Sequence, residues 1–182
     1  MSSLDFLVEG ATEQTFVGKQ LKGHLARFGV HTESSGIINI GGVKRWERAQ
    51  RDIMNLLKRG HYCTTMIDFY AMPSDWPGRT EAAEQPKARR ADYVEQAIRS
   101  AITEAMGSSY NPAQFIPYVQ LHEFEALVFS DPRAMADQLA AVKRTSPDRL
   151  CGVFGSIVEE GGWPEDINDH HHTCPSKRIM GV

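Results

Sequence analysis

Long apolar runs are missing from this chain. No stretch approaches the roughly 20 consecutive apolar residues that cross a bilayer, and the start, MSSLDFLVEG, carries neither a basic leader nor an extended apolar segment, so no membrane span or secretory signal is expected. Cysteine is scarce as well. Cys63, Cys151 and Cys174 are odd in number and widely spaced, which argues against a disulfide framework and for reduced thiols in a cytoplasmic protein. An excess of basic residues is also lacking: at a formal charge of -3 the chain is not expected to hold nucleic acid through a broad positive surface, although a local basic groove is compatible with that charge. There is no internal repeat, and the only biased tract is His170, His171 and His172. What is present is ordinary for a globular protein, 41% apolar and 24% charged residues in 182 positions, a length that suits one domain.

Strand and helix patterns alternate along that length. Leu4 to Val8 is a short apolar run closed by Glu9 and Gly10, the pattern of a buried strand and a turn. From Thr12, residues Phe16, Val17, Leu21, Leu25 and Phe28 recur at helical spacing until Gly29. A second strand is expected at Gly36 to Ile40 before Gly41 and Gly42, then a helix carrying Val43, Trp46, Ile53, Leu56 and Leu57 with Gly60 as its stop. Tyr62 to Ile67 reads as a third strand and ends on Asp68. Ala71 to Pro86, with Pro73, Pro77, Gly78 and Pro86, reads as a long loop of the kind that is functional or mobile. Lys87 to Met106 is helical, and Phe115 to Leu121 is a fourth strand in which Pro117 predicts an edge or a bulge. Phe124, Leu127 and Val128 have helical spacing, and Asp131-Pro132 and Ser146-Pro147 are helix starts, so the last third is helical. The expected fold is α/β, a mostly parallel sheet flanked by helices, with an α/β core over about residues 1–130 and a helical extension over 131–182. The closing CPSKRIMGV has no terminating element, leaving a terminal fray and a truncated chain both open.

Three of the expected strands end in acid: Glu9 after LDFLV, Asp68 after TTMI, and Glu123 with Glu125 after PYVQL. Ligands of open α/β sheets bind outside the carboxyl ends of the strands, so residues distant in sequence can converge there. Clustered carboxylates stay ionised together only with a compensating cation, and oxygen-only ligands favour Mg²⁺ or Mn²⁺, ions suited to phosphodiester chemistry. The plainer reading is that strand-end acids serve as caps and turn formers.

These residues resemble a known family. VEGATE resembles the first acidic motif of Toprim domains, the catalytic cores of topoisomerases, DnaG-type primases and overcoming-lysogenization-defect nucleases, and MIDFY resembles their second. The fuller set, VEGATE, TMIDFYAMPSDWPG, FIPYVQLHEFEALVFSD and PSKR, is most similar to the Toprim-like family catalogued as domain of unknown function 4276, over about residues 4–178. The resemblance implies a Toprim-like (Rossmann-like) fold and a Mg²⁺- or Mn²⁺-dependent nuclease or related phosphotransfer protein. Its implied substrate is nucleic acid, DNA before RNA, and its implied partner an ATPase or other phage-defence protein. It implies Glu9 as a metal ligand or general acid/base, Asp68 as the principal ligand of the second motif, and Glu123 and Glu125, in HEFEAL, as completing or orienting the site. Many Toprim domains carry Asp-x-Asp in the second motif, whereas Tyr70 follows Phe69 here; one ligand then comes from elsewhere, with Glu125 the first choice, or the fold serves as a degenerate binding or regulatory module. Members of that family run past PSKR, where this chain stops at Val182.

Around these acids, Gly10 is expected beside the site. Glu13 has helix stabilisation as its default role and support of the site as the alternative. His122 is balanced between phosphate contact or proton transfer and a structural hydrogen bond. Lys177 and Arg178 suit either phosphate contact or an exposed helix start. His170, His171, His172 and Cys174 lack the paired spacing of a zinc site and read as a polar loop. Lys44, Arg45, Arg48 and Arg51, like Lys87, Arg89 and Arg90, read as solvated helix faces with a backbone-tracking groove as the alternative. Trp76 is balanced between a base-stacking platform and a buried ring.

Overall fold

The structure is a computed structural model that describes residues 2–108, 110–121, 123–161 and 175–181. His122, the tract His170 to His172 and Cys174 lie outside those residues. The chain divides into two compact units, Met1–Leu121 and His122–Val182.

The first unit is a parallel sheet with two long edges built from short segments. Strands β1 (Ser2–Val8), β2 (Val30–His31), β3 (Ile37–Asn39), β4 (Tyr62–Asp68), β5 (Phe115–Ile116) and β6 (Val119–Gln120) form it. β1 and β4 pair in the centre; β2 and β3 follow one another along the outer side of β1, and β5 and β6 do the same along β4. Every pairing is parallel, so the steps from β1 to β2, β3 to β4 and β4 to β5 each need a crossover, whereas β3 continues the line of β2 and β6 that of β5. Helices α1 (Ala11–Phe16) and α2 (Lys22–Ala26), joined by a π-helical turn over Val17–Leu21, make the first crossover. Helix α3 (Trp46–Leu57) and helix α4 (Arg90–Met106) make the next two. Phe28 falls beyond the end of α2, is 69% exposed, and rests on the His24 ring at 5.2 Å.

Register decides which residues meet. Pairing Asp5 with Cys63 and Cys63 with Phe115 puts Leu7, Cys63, Ile67 and Phe115 on one face, where Ile53, Leu56, Val94, Ile98 and Ile102 of α3 and α4 cover them. The opposite face, with Leu4, Phe6, Met66 and Ile116, lines an open apolar groove of about 340 Å³ shared with Leu21 and Leu25.

Cys63 is wholly buried in this core, and burial together with the nearby Asp5 charge pushes its thiol far above the ordinary range, against the opposing charge of Arg59. Because the thiolate is the reactive species, Cys63 is expected to resist alkylation in the folded protein and to react only after denaturation, with peptide mapping to locate the label. Rapid labelling of Cys63 in native protein would contradict this packing.

The fourth expected strand is interrupted at Pro117, as its missing N–H requires, into β5 and β6. The Thr65 hydroxyl fills the gap: Oγ1 donates to the Tyr118 carbonyl at 2.8 Å and accepts from the Tyr118 N–H at 2.9 Å. Beside it the Val119 N–H donates to Glu95 Oε1 at 2.8 Å. Burial holds the Glu95 carboxyl above its ordinary value, with Asp92 adding to the shift and the Val119 hydrogen bond and Arg99 opposing it. A raised folded value means that the folded state keeps this proton more firmly than the unfolded chain. Its stabilising contribution is present below the unfolded value and is lost as pH rises through the folded one. Glu95→Gln retains an acceptor for Val119 and removes the titration, so urea melts at a series of acidic to neutral pH values are expected to show a flatter stability profile. An unaltered profile would refute the assignment.

The second unit is helical. After the 3-10 segment Phe124–Ser130 come α5 (Pro132–Lys143), α6 (Pro147–Gly161) and α7 (Pro175–Met180). Asp131 caps α5 through the Ala134 N–H at 2.9 Å, and Ser146 receives the Arg149 N–H at 3.2 Å, so both expected starts are present. Phe129, Met135, Ala136, Leu150 and Phe154 form its core. The 3-10 winding, with three residues per turn, turns Ala126 and Phe129 inward and leaves Leu127 and Val128 exposed, which differs from the α-helical phase expected for them. No helix among the described residues is long and apolar enough to cross a membrane.

Candidate functional site

The site begins where β1 and β4 end side by side. Val8 is in register with Met66, and the ladder runs one residue further through the Glu9 N–H to the Met66 carbonyl at 3.1 Å. At the next position a side chain replaces the backbone: Glu9 Oε2 accepts the Asp68 N–H at 2.9 Å. The Glu9 carbonyl accepts the Gly42 N–H at 2.8 Å. That turn requires glycine, because Gly41 and Gly42 have φ of 64° and 85°, in the left-handed region. Asn39 steadies it, its Oδ1 accepting the Gly41 N–H at 2.8 Å and its Nδ2 donating to Gln14 Oε1 at 3.1 Å.

Asp68 is turned back over its own strand end. Its Oδ1 accepts the Tyr70 N–H at 2.7 Å, while the Phe69 N–H donates to the Gln120 carbonyl at 2.7 Å. Tyr70 therefore orients the Asp68 carboxylate through its backbone, and its ring, 46% exposed, stands edge-on to Phe69. Gly10 opens the first helix, and its N–H donates to Glu13 Oε2 at 2.9 Å, the helix-stabilising role.

The long loop after Asp68 is anchored rather than loose. Trp76 is 2% exposed, its Nε1 donates to the Lys44 carbonyl at 2.8 Å, and its ring packs edge-on against Trp46 at 5.2 Å. Of the two roles open for Trp76, its burial selects the ring in the core. Asp75 Oδ2 accepts the Trp46 N–H at 3.1 Å and so ties the loop to the start of α3. Gly78 cannot be larger: its φ is 73° and a Cβ there would lie 2.7 Å from Ala97 Cβ on α4. This close approach places Arg79 back at the strand end. Arg79 Nε donates to the Phe69 carbonyl at 3.0 Å, and its Cζ lies 4.0 Å over the Phe69 ring. Burial lowers the Arg79 pKa from its ordinary value and Arg90 acts in the same direction, while Tyr70 and Asp68 oppose them. An arginine remains charged under such shifts.

The remaining acids of the sequence pattern are in the second unit. Glu123 precedes the 3-10 segment, and its Oε2 accepts the Ser176 N–H of α7 at 2.9 Å; Glu125 is in the first turn of that segment and half-buried. Lys177 and Arg178 lie in the last turn of α7, where positive charge favours a helix end, and Arg178 Nη1 is 3.9 Å from Glu160 Oε2.

The structure thus brings Glu9 and Asp68 together with Gly10 and Glu13 close by. Among the described residues no three His, Cys, Asp or Glu side chains form a cluster that could hold a metal ion. Two acids at neighbouring strand ends match in number what Mg²⁺ commonly takes from a protein, one or two carboxylates with water and phosphate oxygens completing its shell; a closed cage of the zinc or calcium type would need more.

The family described as Domain of unknown function (DUF4276) matches residues 8–182, a span that includes VEGATE, MIDFY, HEFEAL and PSKR. The chain belongs to this family. No curated protein and no solved structure matches it. In this DUF4276 protein, Arg79, Asp75 and Thr65 are the site-building residues that sequence reasoning passed over. Arg79 had one available signal, a cation just after Pro77-Gly78 in the loop leaving the Asp68 strand end.

Proposed function

We propose that this DUF4276 protein is a Toprim-like, Mg²⁺- or Mn²⁺-dependent nuclease acting on nucleic acid, DNA before RNA. The observation that carries this reading is the Glu9 carboxylate seated on the Asp68 amide, at the carboxyl ends of adjacent parallel strands. Glu9 and Asp68 would hold the ion, which supplies polarisation of a phosphoryl oxygen and activation of water when bound. The Tyr70 and Asp68 amides fix the two carboxylates, so neither acid has to be ordered when substrate arrives. The HEFEAL resemblance assigns Glu125 as a further carboxylate. A cytoplasmic setting and an ATPase or defence-system partner accompany this proposal, the former consistent with the free thiols of Cys63 and Cys151.

The test is cleavage of plasmid DNA and of labelled RNA by the purified chain, with Mg²⁺, with Mn²⁺ and with EDTA, alongside calorimetric titration of each ion. Metal-dependent cleavage supports the proposal; no ion binding and no cleavage removes it. A second reading is favoured by Tyr70 at the position of a second aspartate and by the lack of a three-acid cluster among the described residues. In that reading the fold is a degenerate binding or regulatory module acting through a partner. Activity of a partner complex that survives neutralisation of Glu9, Asp68 and Glu125 together would establish it.

A further inference from the structure

We propose that Arg79 and Arg90 form a phosphate-binding site beside Asp68 that takes a backbone phosphate of the nucleic-acid strand. This deepens the nuclease reading and rests on it for the identity of the strand. Both arginines are half-buried and both are anchored to the loop by backbone carbonyls, Arg79 Nε to Phe69 at 3.0 Å, Arg90 Nε to Gln85 at 3.1 Å and Arg90 Nη2 to Ala83 at 3.2 Å. Those hydrogen bonds set position without neutralising charge. Among the described residues, neither group has a carboxylate within ion-pair distance, and Arg79 makes no hydrogen bond through Nη1 or Nη2.

Two like charges are thus held on carbonyls of one loop, whose other anchors are Trp76 in the core and Gly78 against α4. A ligand with several anionic oxygens can neutralise both charges, and the planar fork of arginine matches phosphate geometry. Arg79 is seated on the carbonyl and ring of Phe69, the residue that follows Asp68, so a phosphate on its outer nitrogens is held at the end of the strand that carries Asp68. The solvated-face reading of Arg90 does not account for its two carbonyl anchors.

The experiment measures binding of a short fluorescent single-stranded DNA oligonucleotide in EDTA, so that no metal bridges the complex, over a range of salt. Arg79→Gln, Arg90→Gln and the double variant are compared with the unaltered chain, and Arg79→Lys keeps the charge while removing the fork. Each Gln variant is expected to weaken binding about tenfold, as for removal of a charge-assisted hydrogen bond, and the double variant to lower the salt slope by about 0.7 for each phosphate no longer neutralised. Arg79→Lys is expected to fall between. Tryptophan fluorescence verifies that the loop remains packed in each variant. Inorganic phosphate as competitor separates the strand from the free anion: displacement only at high phosphate supports the strand, and binding of free phosphate with no arginine-dependent oligonucleotide binding overturns it. Unchanged oligonucleotide affinity and salt slope in a folded double variant also overturn the proposal. Arginine-dependent binding in a chain that shows no metal-dependent cleavage leaves this site standing while the nuclease reading falls. Cleavage that needs Asp68 with wild-type binding in the double variant does the reverse.

Discussion

Asp68→Asn is expected to lower the proposed Mg²⁺-dependent cleavage about a thousandfold with little change in melting temperature. The size follows from the chemistry: polarisation by a bound ion is worth several kcal/mol of transition-state stabilisation, and each 1.36 kcal/mol is about tenfold in rate. The selectivity follows from the geometry. Asn at this position still offers an oxygen to the Tyr70 N–H, so the turn after β4 keeps its hydrogen bond while the charge is removed. Glu9→Gln is expected to behave alike, since its amide oxygen can still receive the Asp68 N–H. Single-turnover cleavage and calorimetric Mg²⁺ titration on the same preparations check this. Wild-type rates and wild-type ion affinity in both variants would remove Glu9 and Asp68 from the chemistry, and a collapsed melting temperature would make them structural.

Trp76→Ala is expected to cost about 3–5 kcal/mol, the range for deleting a large buried aromatic ring, which at about 2–4 °C per kcal/mol lowers the melting temperature by on the order of 10 °C. The ring is 2% exposed, packs on Trp46 and satisfies the Lys44 carbonyl, so truncation creates a cavity and leaves a partly buried acceptor without its donor. The consequence reaches the site because the Arg79 N–H donates to the Trp76 carbonyl at 3.1 Å and Arg79 is positioned by the same loop. Trp76→Phe keeps most of the apolar area and removes the indole N–H, so it is expected to be destabilising by about 1–2 kcal/mol. Thermal and urea melts check both variants. A Trp76→Ala protein as stable as the original would show that the loop is not held by its tryptophan.

Much of the fold was legible in the residues, and the reasons are local. Short apolar and β-branched runs bounded by glycine and acid located β1, β3 and β4, and Pro117, read as an edge or a bulge, falls at the break between β5 and β6, because a missing N–H disrupts any ladder. Asp131-Pro132 and Ser146-Pro147 marked two helix starts through the capping chemistry of their own side chains. Where the local geometry was another kind of helix the phase came out differently, as at Leu127 and Val128, which a 3-10 winding turns outward. Sequence also located Glu9 and Asp68 at strand ends, though it could not say how their carboxylates would be oriented.

Those orientations, and the company they keep, belong to the tertiary structure. Glu9 meets the Asp68 amide only because β1 and β4 pair in one particular register, across 59 positions of chain. Trp76 goes inward, and Arg79 with it, because burying an indole against Trp46 and closing Gly78 onto α4 outweighs the loop character that its prolines suggest. Periodicity and capping are short-range properties, set by neighbours within one or two turns, and the sequence determined them by itself. Which groups face one another depends on packing and desolvation between segments far apart in the chain, so only the folded structure decided that Glu9 meets the Asp68 amide and that Arg79 lies on Phe69.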